Sequence, residues 1–266
     1  MKLKKMLALF LALTMSMALA ACSPAEEDTQ PPSAEPSDAA STEPSGEQNQ
    51  SAQPEAEGLT LTYPASMADR GYETLELDYV PERIACMVTA PVFTLYEMGV
   101  PVIAAPTSTA TAYPDDFDAT LLGSVAHEDF DIEAVVSLDP DLVIMSASYQ
   151  DSHGATLEGL DIPVYYMSAG HTVSYDSVKE EAQCLINAFS LDEESAAKGE
   201  AIMQRFADVE ARLEEVRPLY EGKTVMVLQS GSTTMHYIQT ANGTLASMAD
   251  MMGFTNVYEN SEASMV

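Results

Sequence analysis

The chain has 266 residues with 42 acidic against 11 basic side chains, a formal net charge of −31. So anionic a protein is repelled by nucleic acid and by bare anionic lipid headgroups, which excludes nucleic-acid functions. Its length allows one large domain or two small lobes behind any leader.

Lys2, Lys4 and Lys5 precede an apolar run from Met6 to Ala20, and Leu19-Ala20-Ala21-Cys22 closes it. A cationic start, an apolar core of roughly 15 residues and small residues at the exit describe a bacterial secretory signal, too short and wrongly flanked for a permanent span. Leu-Ala-Ala-Cys resembles the lipobox at which lipoprotein signal peptidase cuts before a diacylglyceryl-modified cysteine. The resemblance implies a signal peptide over residues 1–21 and lipidation of Cys22, so that acyl chains hold the protein on the membrane without spanning it. An ordinary secreted protein is the alternative. Either way the working part lies outside the cytoplasm.

Residues 22–58 read as a disordered tether. The segment is rich in Pro, Glu, Ser, Ala and Gln, has no aromatic residue and shows no apolar periodicity. It therefore buries too little surface to offset its chain entropy. Pro31, Pro32, Pro36, Pro44 and Pro54, together with its repelling acids, extend it as a spacer.

Beyond it, strand-like and helix-like stretches alternate. Arg83 to Val88 is β-prone, Thr89-Ala90-Pro91 reads as a loop, Val92 to Met98 is helical with Gly99 as its stop, and Val102 to Ala105 is the next strand. Ile132 to Leu138 reads as a short helix, Asp139-Pro140-Asp141 as a turn, and Leu142 to Met145 as a strand covered on both faces. Ile162 to Tyr166 gives another. Such alternation predicts a parallel α/β sheet. Cys86 and Cys184 sit in apolar settings and read as small buried hydrophobes, although a disulfide is arithmetically possible.

Ser174 caps a helix whose apolar stripe is Val178, Ala182, Leu185, Ile186 and Phe189. Asp192 starts a longer one in which Ile202, Phe206, Val209, Leu213 and Val216 recur at steps of three and four, closed by Pro218 and Gly222. At 1.5 Å per residue it is about 35 Å long, enough to bridge two lobes. Thr224 to Leu228 then reads as one strand, opening a second α/β unit with a helix from Leu245 to Met252.

The order of these segments resembles the helical-backbone substrate-binding proteins of ABC transporters, the periplasmic-binding family of ferric siderophores, haem and cobalamin. The resemblance is carried by Pro81-Glu82-Arg83-Ile84, Leu95-Tyr96-Glu97-Met98-Gly99, Leu122-Gly123-Ser124, Leu138-Asp139-Pro140-Asp141-Leu142-Val143-Ile144, the long helix, Gly243-Thr244-Leu245 and Met252-Gly253-Phe254-Thr255-Asn256-Val257. It implies an α/β fold of two Rossmann-like lobes joined by a long rigid α-helix. The divisions are 59–190 for the N-terminal lobe, 191–221 for the interlobe helix and 222–266 for a C-terminal lobe expected to be truncated at Val266. It further implies an extracytoplasmic, lipid-anchored, non-enzymatic solute-binding protein serving iron transport, with an ABC permease and its ATPase as partners. Its ligand would be an iron complex, haem or cobalamin, and no intrinsic cofactor is expected. Where the family places a permease-docking glutamate on the first helix, this chain has Phe93, and Glu97 lies one turn further on.

In open parallel sheets ligands meet the loops at the carboxyl ends of strands. The loops so placed contain Thr89, Tyr113, Tyr149, Gln150, His153, Gln229, Met235, His236 and Tyr237, and no Arg or Lys. A polar, aromatic and soft-sulfur lining suits a haem, a corrinoid or a hydroxamate ferric complex, whereas a strongly anionic catecholate complex needs cationic partners. Tyr113 precedes Pro114 where some haem-binding relatives place a phenolate iron ligand. Tyr113 and His236 are thus the candidates for direct metal ligation. Each also has a packing role open to it, and His127 and His171 read as solvent-exposed.

Catalytic motifs are lacking: there is no Gly-x-Ser-x-Gly elbow, His-Glu-x-x-His pair, Walker loop or Gly-x-Gly-x-x-Gly turn. The second reading is a binding protein for free Zn²⁺ or Mn²⁺, which requires His and carboxylate ligands converging from several loops. An extracytoplasmic hydrolase, resting on Ser230-Gly231-Ser232, stands a distant third.

Overall fold

The computed structural model describes residues 58–108, 112–124, 130–168, 173–230 and 236–258. The expected signal peptide, lipidated Cys22 and tether up to residue 57, together with His127, His171 and Met235, lie outside the described residues.

Strands β1 (Thr60–Leu61) and β2 (Leu75–Glu76) pair antiparallel around the short helix α1 (Ala65–Ala68). The next strands are β3 (Ile84–Cys86), β4 (Val102–Pro106), β5 (Thr120–Leu122), β6 (Leu142–Ser146) and β7 (Val164–Met167). They form one parallel sheet in the order β5-β4-β3-β6-β7. Helices α2 (Thr89–Met98), α3 (Ile132–Val136) and α4 (Ala155–Glu158) lie in the connections.

The two-residue period of a strand divides the core between the faces of this sheet. Ile84, Cys86, Leu142, Ile144, Tyr165 and Met167 pack on one side with Leu95 of α2. Ala85, Met87, Val143, Met145, Val164 and Tyr166 pack on the other with Val135 of α3 and Leu157 of α4. Every residue of β6 from Leu142 to Met145 is fully buried, as its unbroken apolar run requires. Cys86 is a free, buried thiol pushed up to about 12 by desolvation, and Cys184 is free and half-buried.

The first helix begins earlier than its sequence implies: Thr89, Ala90 and Pro91 form the first turn of α2 rather than a loop. Proline is tolerated there because the first-turn N–H it lacks would have no intrahelical partner. Gly99 ends α2 at φ 81°, a left-handed conformation that suits glycine.

Helix α5 (Tyr175–Phe189) is capped by Ser174, whose hydroxyl accepts from Ser177 N at 3.2 Å. Helix α6 (Glu193–Tyr220) has 28 residues and starts at a capping box, in which the Asp192 carboxylate accepts from Ser195 N at 2.7 Å and the Ser195 hydroxyl accepts from Asp192 N at 3.0 Å. Pro218 lies in its last turn, so the helix runs on to Tyr220. At 1.5 Å per residue α6 spans about 42 Å. It packs against α2 and α5 beside the parallel sheet, and against α7 (Thr244–Met251) beyond it.

The stretch expected as one strand from Thr224 to Leu228 is two. Strand β8 (Thr224–Val225) pairs parallel with β11 (Thr255–Asn256), whereas β9 (Val227–Ser230) pairs antiparallel with β10 (His236–Gln239). The chain changes partner at Met226, which lies between the two pairings and is 50% exposed. An apolar run reports strand propensity and carries no information on which neighbour supplies the hydrogen bonds.

Candidate functional site

Strands β3 and β7 end at the same edge of the sheet, and beyond that edge stand the start of α2, the face of α5, Phe206 of α6, Gln229 of β9, Gln239 of β10 and the first residues of α7. Together they border a cavity of about 540 Å³. Its wall is mostly apolar, with Val88, Pro91, Met167, Leu185, Phe206 and Leu245 among the lining side chains. The polar contributors are Thr94, Ser168, Glu181, Gln229, Gln239 and Thr244. A volume and composition of this kind match small-molecule sites, in which a few polar groups fix orientation within an apolar pocket.

Glu181 is the one charged residue among the described lining residues. It lies on α5 and is 6% exposed. One carboxylate oxygen accepts both from Ser168 N at 2.5 Å and from the Ser168 hydroxyl at 2.6 Å. Burial raises the carboxyl above its ordinary range; the Ser168 hydrogen bonds, and a weaker field from Arg70, pull it back only in part.

Gln239 closes the opposite wall and is 1% exposed. Its Nε2 donates to Gln229 Oε1 at 2.9 Å, and its Oε1 accepts from Leu245 N at 3.0 Å and Ala246 N at 3.2 Å. It thus supplies from β10 the capping oxygen that Gly243, at the N-terminus of α7, does not have.

Of the residues singled out in the sequence, Gln229 lines this cavity and Thr89 stands between the lining residues Val88 and Ala90. Gln229 and Tyr237 face each other across the β9–β10 pair rather than lying in a loop. His236 opens β10 opposite Ser230; its side chain, like the whole of Met235, lies outside the described residues. Tyr113 is stacked between Phe93 (ring centroids 5.4 Å apart) and Phe117 (4.7 Å), and its hydroxyl donates to Pro106 O at 2.7 Å. Tyr149, Gln150 and His153 occupy irregular helical turns after β6, away from the cavity wall; Gln150 Oε1 accepts from the Tyr72 hydroxyl at 2.8 Å.

Glu181, Ser168 and Gln239 were not singled out from the sequence. A signal for Glu181 exists: it falls three residues after Val178 and four before Leu185, an acid on the apolar stripe of α5. Ser168 and Gln239 carry no comparable mark, because their roles come from tertiary neighbours. Among the described residues, no group of three or more His, Cys, Asp or Glu is placed to hold a metal ion. None of their helices is long and apolar enough to cross a membrane.

A family profile described as Periplasmic binding protein matches residues 84–265. The chain belongs to the periplasmic binding protein family. Solved structures of similar fold include an ABC transporter substrate-binding protein from Listeria monocytogenes EGD-e, with 18% identity, coverage of 70% of this chain and 68% of that one, and a TM-score of 0.57. Staphylococcus aureus IsdE complexed with heme aligns at 18% identity, 69% and 68% coverage and a TM-score of 0.55. The periplasmic vitamin B12 binding protein BtuF of Vibrio cholerae aligns at 17% identity, 70% and 69% coverage and 0.53. At such identities the likeness is one of fold: α/β, with a parallel sheet and a long helix. No curated protein matches the chain significantly. Within this family fold, the cavity sits at the carboxyl edge of the parallel sheet, where an open α/β architecture receives its ligand.

Proposed function

We propose that this periplasmic binding protein is an extracytoplasmic, lipid-anchored solute-binding protein. It captures an iron chelate, siderophore or haem, or cobalamin, and delivers it to the permease and ATPase of an ABC importer. Its parts are a lobe over residues 59–190, an interlobe helix over 191–221 and a second lobe from 222. The observation that carries this reading is the apolar cavity of about 540 Å³ against the ends of β3 and β7, whose described lining residues are apolar and uncharged polar groups and one acid. The haem-complexed and vitamin B12-binding proteins of the same fold support the ligand class. Thr89, Tyr113, Tyr149, Gln150, Gln229, Met235, His236 and Tyr237 remain the residues assigned to the ligand from sequence; among the described residues, Gln229 is the one on the cavity wall.

The chain has 12 Tyr and no Trp, so quenching of tyrosine fluorescence reads binding directly. Titration with ferric hydroxamates, haem, cobalamin, Zn²⁺ and Mn²⁺ should give saturable binding of a chelate or corrinoid, and weaker or no binding of the free ions. Tighter binding of a bare ion would move the protein to the second reading. The anchor is tested separately: Cys22→Ala should leave an unprocessed precursor, and processing at residue 22 with retention in washed membranes would refute lipidation.

A further inference from the structure

A carboxylate buried in an apolar wall is costly unless something pairs with it. Glu181 is 6% exposed, and its hydrogen-bond partners among the described residues are both on Ser168, converging on one oxygen. An ionised carboxylate offers about four acceptor positions, so its capacity exceeds what Ser168 uses. The ion pairs of the described residues are Lys179–Glu210, Lys198–Glu194, Arg205–Glu97 and Arg212–Glu215. None involves Glu181. Even Lys179, two positions away on α5, turns to Glu210 of α6 at 2.5 Å. Arg70 contributes only a distant field from an exposed position over the Tyr72 ring.

Bracing Ser168 does not require a charge, since a glutamine oxygen accepts the same two hydrogen bonds. The acid therefore has a use that a neutral acceptor would not serve. It borders a cavity of about 540 Å³ that contains no cation among its described lining residues. In such low-dielectric surroundings an unpaired negative group repels carboxylates and catecholates and attracts ammonium or strong N–H donors.

We propose that Glu181 is the residue that selects the ligand by charge: the solute held in this cavity is neutral or cationic overall and presents an ammonium group to the Glu181 carboxylate. This rests on the reading above that the solute is a metal chelate. It narrows that class to amine-bearing hydroxamate-type complexes and sets haem propionates and tris-catecholates against the site.

The test uses the full processed chain, tyrosine-fluorescence titration and three ferric probes, a linear trihydroxamate complex with a free terminal ammonium, its N-acetylated form and a trianionic tris-catecholate, with haem, cobalamin and an arylalkyl ammonium ion titrated beside them. Acetylation should weaken binding about 10-fold, the scale of one charge-assisted hydrogen bond. Glu181→Gln, which keeps the acceptor for Ser168, should weaken the ammonium complex by a similar ~10-fold while changing the acetylated one by less than ~3-fold. The catecholate should be the weakest of the three. Acetylation needs no variant, so the proposal stays exposed to refutation even if Glu181→Gln misfolds. Equal binding of both hydroxamate forms, or a preference for the catecholate or haem, overturns the role of Glu181 while leaving a chelate-binding protein. Should no iron complex or corrinoid bind while an arylalkyl ammonium ion binds in a Glu181-dependent way, the chelate reading falls and the selection by Glu181 stands. Binding of none of these probes overturns both.

Discussion

Arg205 of α6 reaches across to Glu97 of α2 and pairs with its carboxylate through one guanidinium nitrogen. The pair joins the long helix to the first helix of the sheet. It also engages the acid nearest to the position where the family's docking glutamate is expected, here Phe93, which instead stacks on Tyr113. Both partners are well exposed, so solvent screens the pair and its worth is small, on the order of 0.2–1 kcal/mol. A double-mutant cycle of Glu97→Ala and Arg205→Ala, read by urea unfolding, should give a coupling within that range that fades in 1 M salt. A coupling that is large and insensitive to salt would show a buried pair instead.

Burial holds the Glu181 carboxyl above its ordinary value of 4.5, against the opposing pull of the Ser168 hydrogen bonds. Between 4.5 and that raised value the folded state keeps a proton that the unfolded chain has released, so stability falls as pH rises through the window. The loss is complete above the folded value and absent below the unfolded one. Glu181→Gln removes the charge and should therefore raise the Tm relative to the native chain near neutral pH. The gain should shrink as the pH is lowered toward about 4, where the native carboxyl is itself protonated. Thermal unfolding followed by circular dichroism at several pH values checks this. A variant less stable than the native chain at neutral pH would mean that the charged form is favoured in the fold.

The parallel sheet was legible because β6 and β7 are apolar runs set off by turns, and because Ser174 and Asp192 mark helix starts by a mechanism that works locally. The division at Met226 was not, since partner choice between β10 and β11 is settled by tertiary pairing. For the candidate site, the rule that ligands gather at strand carboxyl ends led to the edge of the sheet where the cavity lies and to Gln229 on its wall. It favoured loop residues over helix faces, so it passed over Glu181, whose significance depends on α5 turning that acid toward an apolar wall. The stacking of Phe93 and Phe117 on the Tyr113 ring was not legible either, because it is a tertiary contact.

Gly199 lies where α6 crosses α5 closely. A Cβ at that position would stand 2.4 Å from Ile186 Cγ2, and Ile186 is itself buried, so neither side has room to move. In an exposed helix, Gly→Ala gains about 1 kcal/mol from propensity. Here overpacking of roughly 1–3 kcal/mol opposes that gain. Gly199→Ala should on balance lower the urea midpoint without changing the slope. A stabilised variant would show that the two helices separate at little cost.

Gly243 and Gln239 give the sharpest test, because the usual rule for helix starts is reversed at α7. Serine is ordinarily a better N-cap than glycine, since its hydroxyl accepts from the backbone N–H two or three residues on. At α7 those donors, Leu245 N and Ala246 N, are already taken by Gln239 Oε1 at 3.0 and 3.2 Å. A Cβ on residue 243 would stand 2.8 Å from that oxygen and 3.0 Å from Gln239 Cβ. Gly243→Ser should therefore destabilise the protein by roughly 1 kcal/mol, the clash outweighing any new cap. Gln239→Ala should cost more, about 1–3 kcal/mol, because two helix N–H groups and the Gln229 oxygen lose their partner. In the double variant the space vacated by Gln239 lets the hydroxyl introduced by Gly243→Ser reach the free donors, so the second change should become neutral or stabilising. That reversal of sign, measured by urea unfolding of the two single variants and the double, is the expected result. Additive losses would mean that the cap position remains closed to serine even without Gln239.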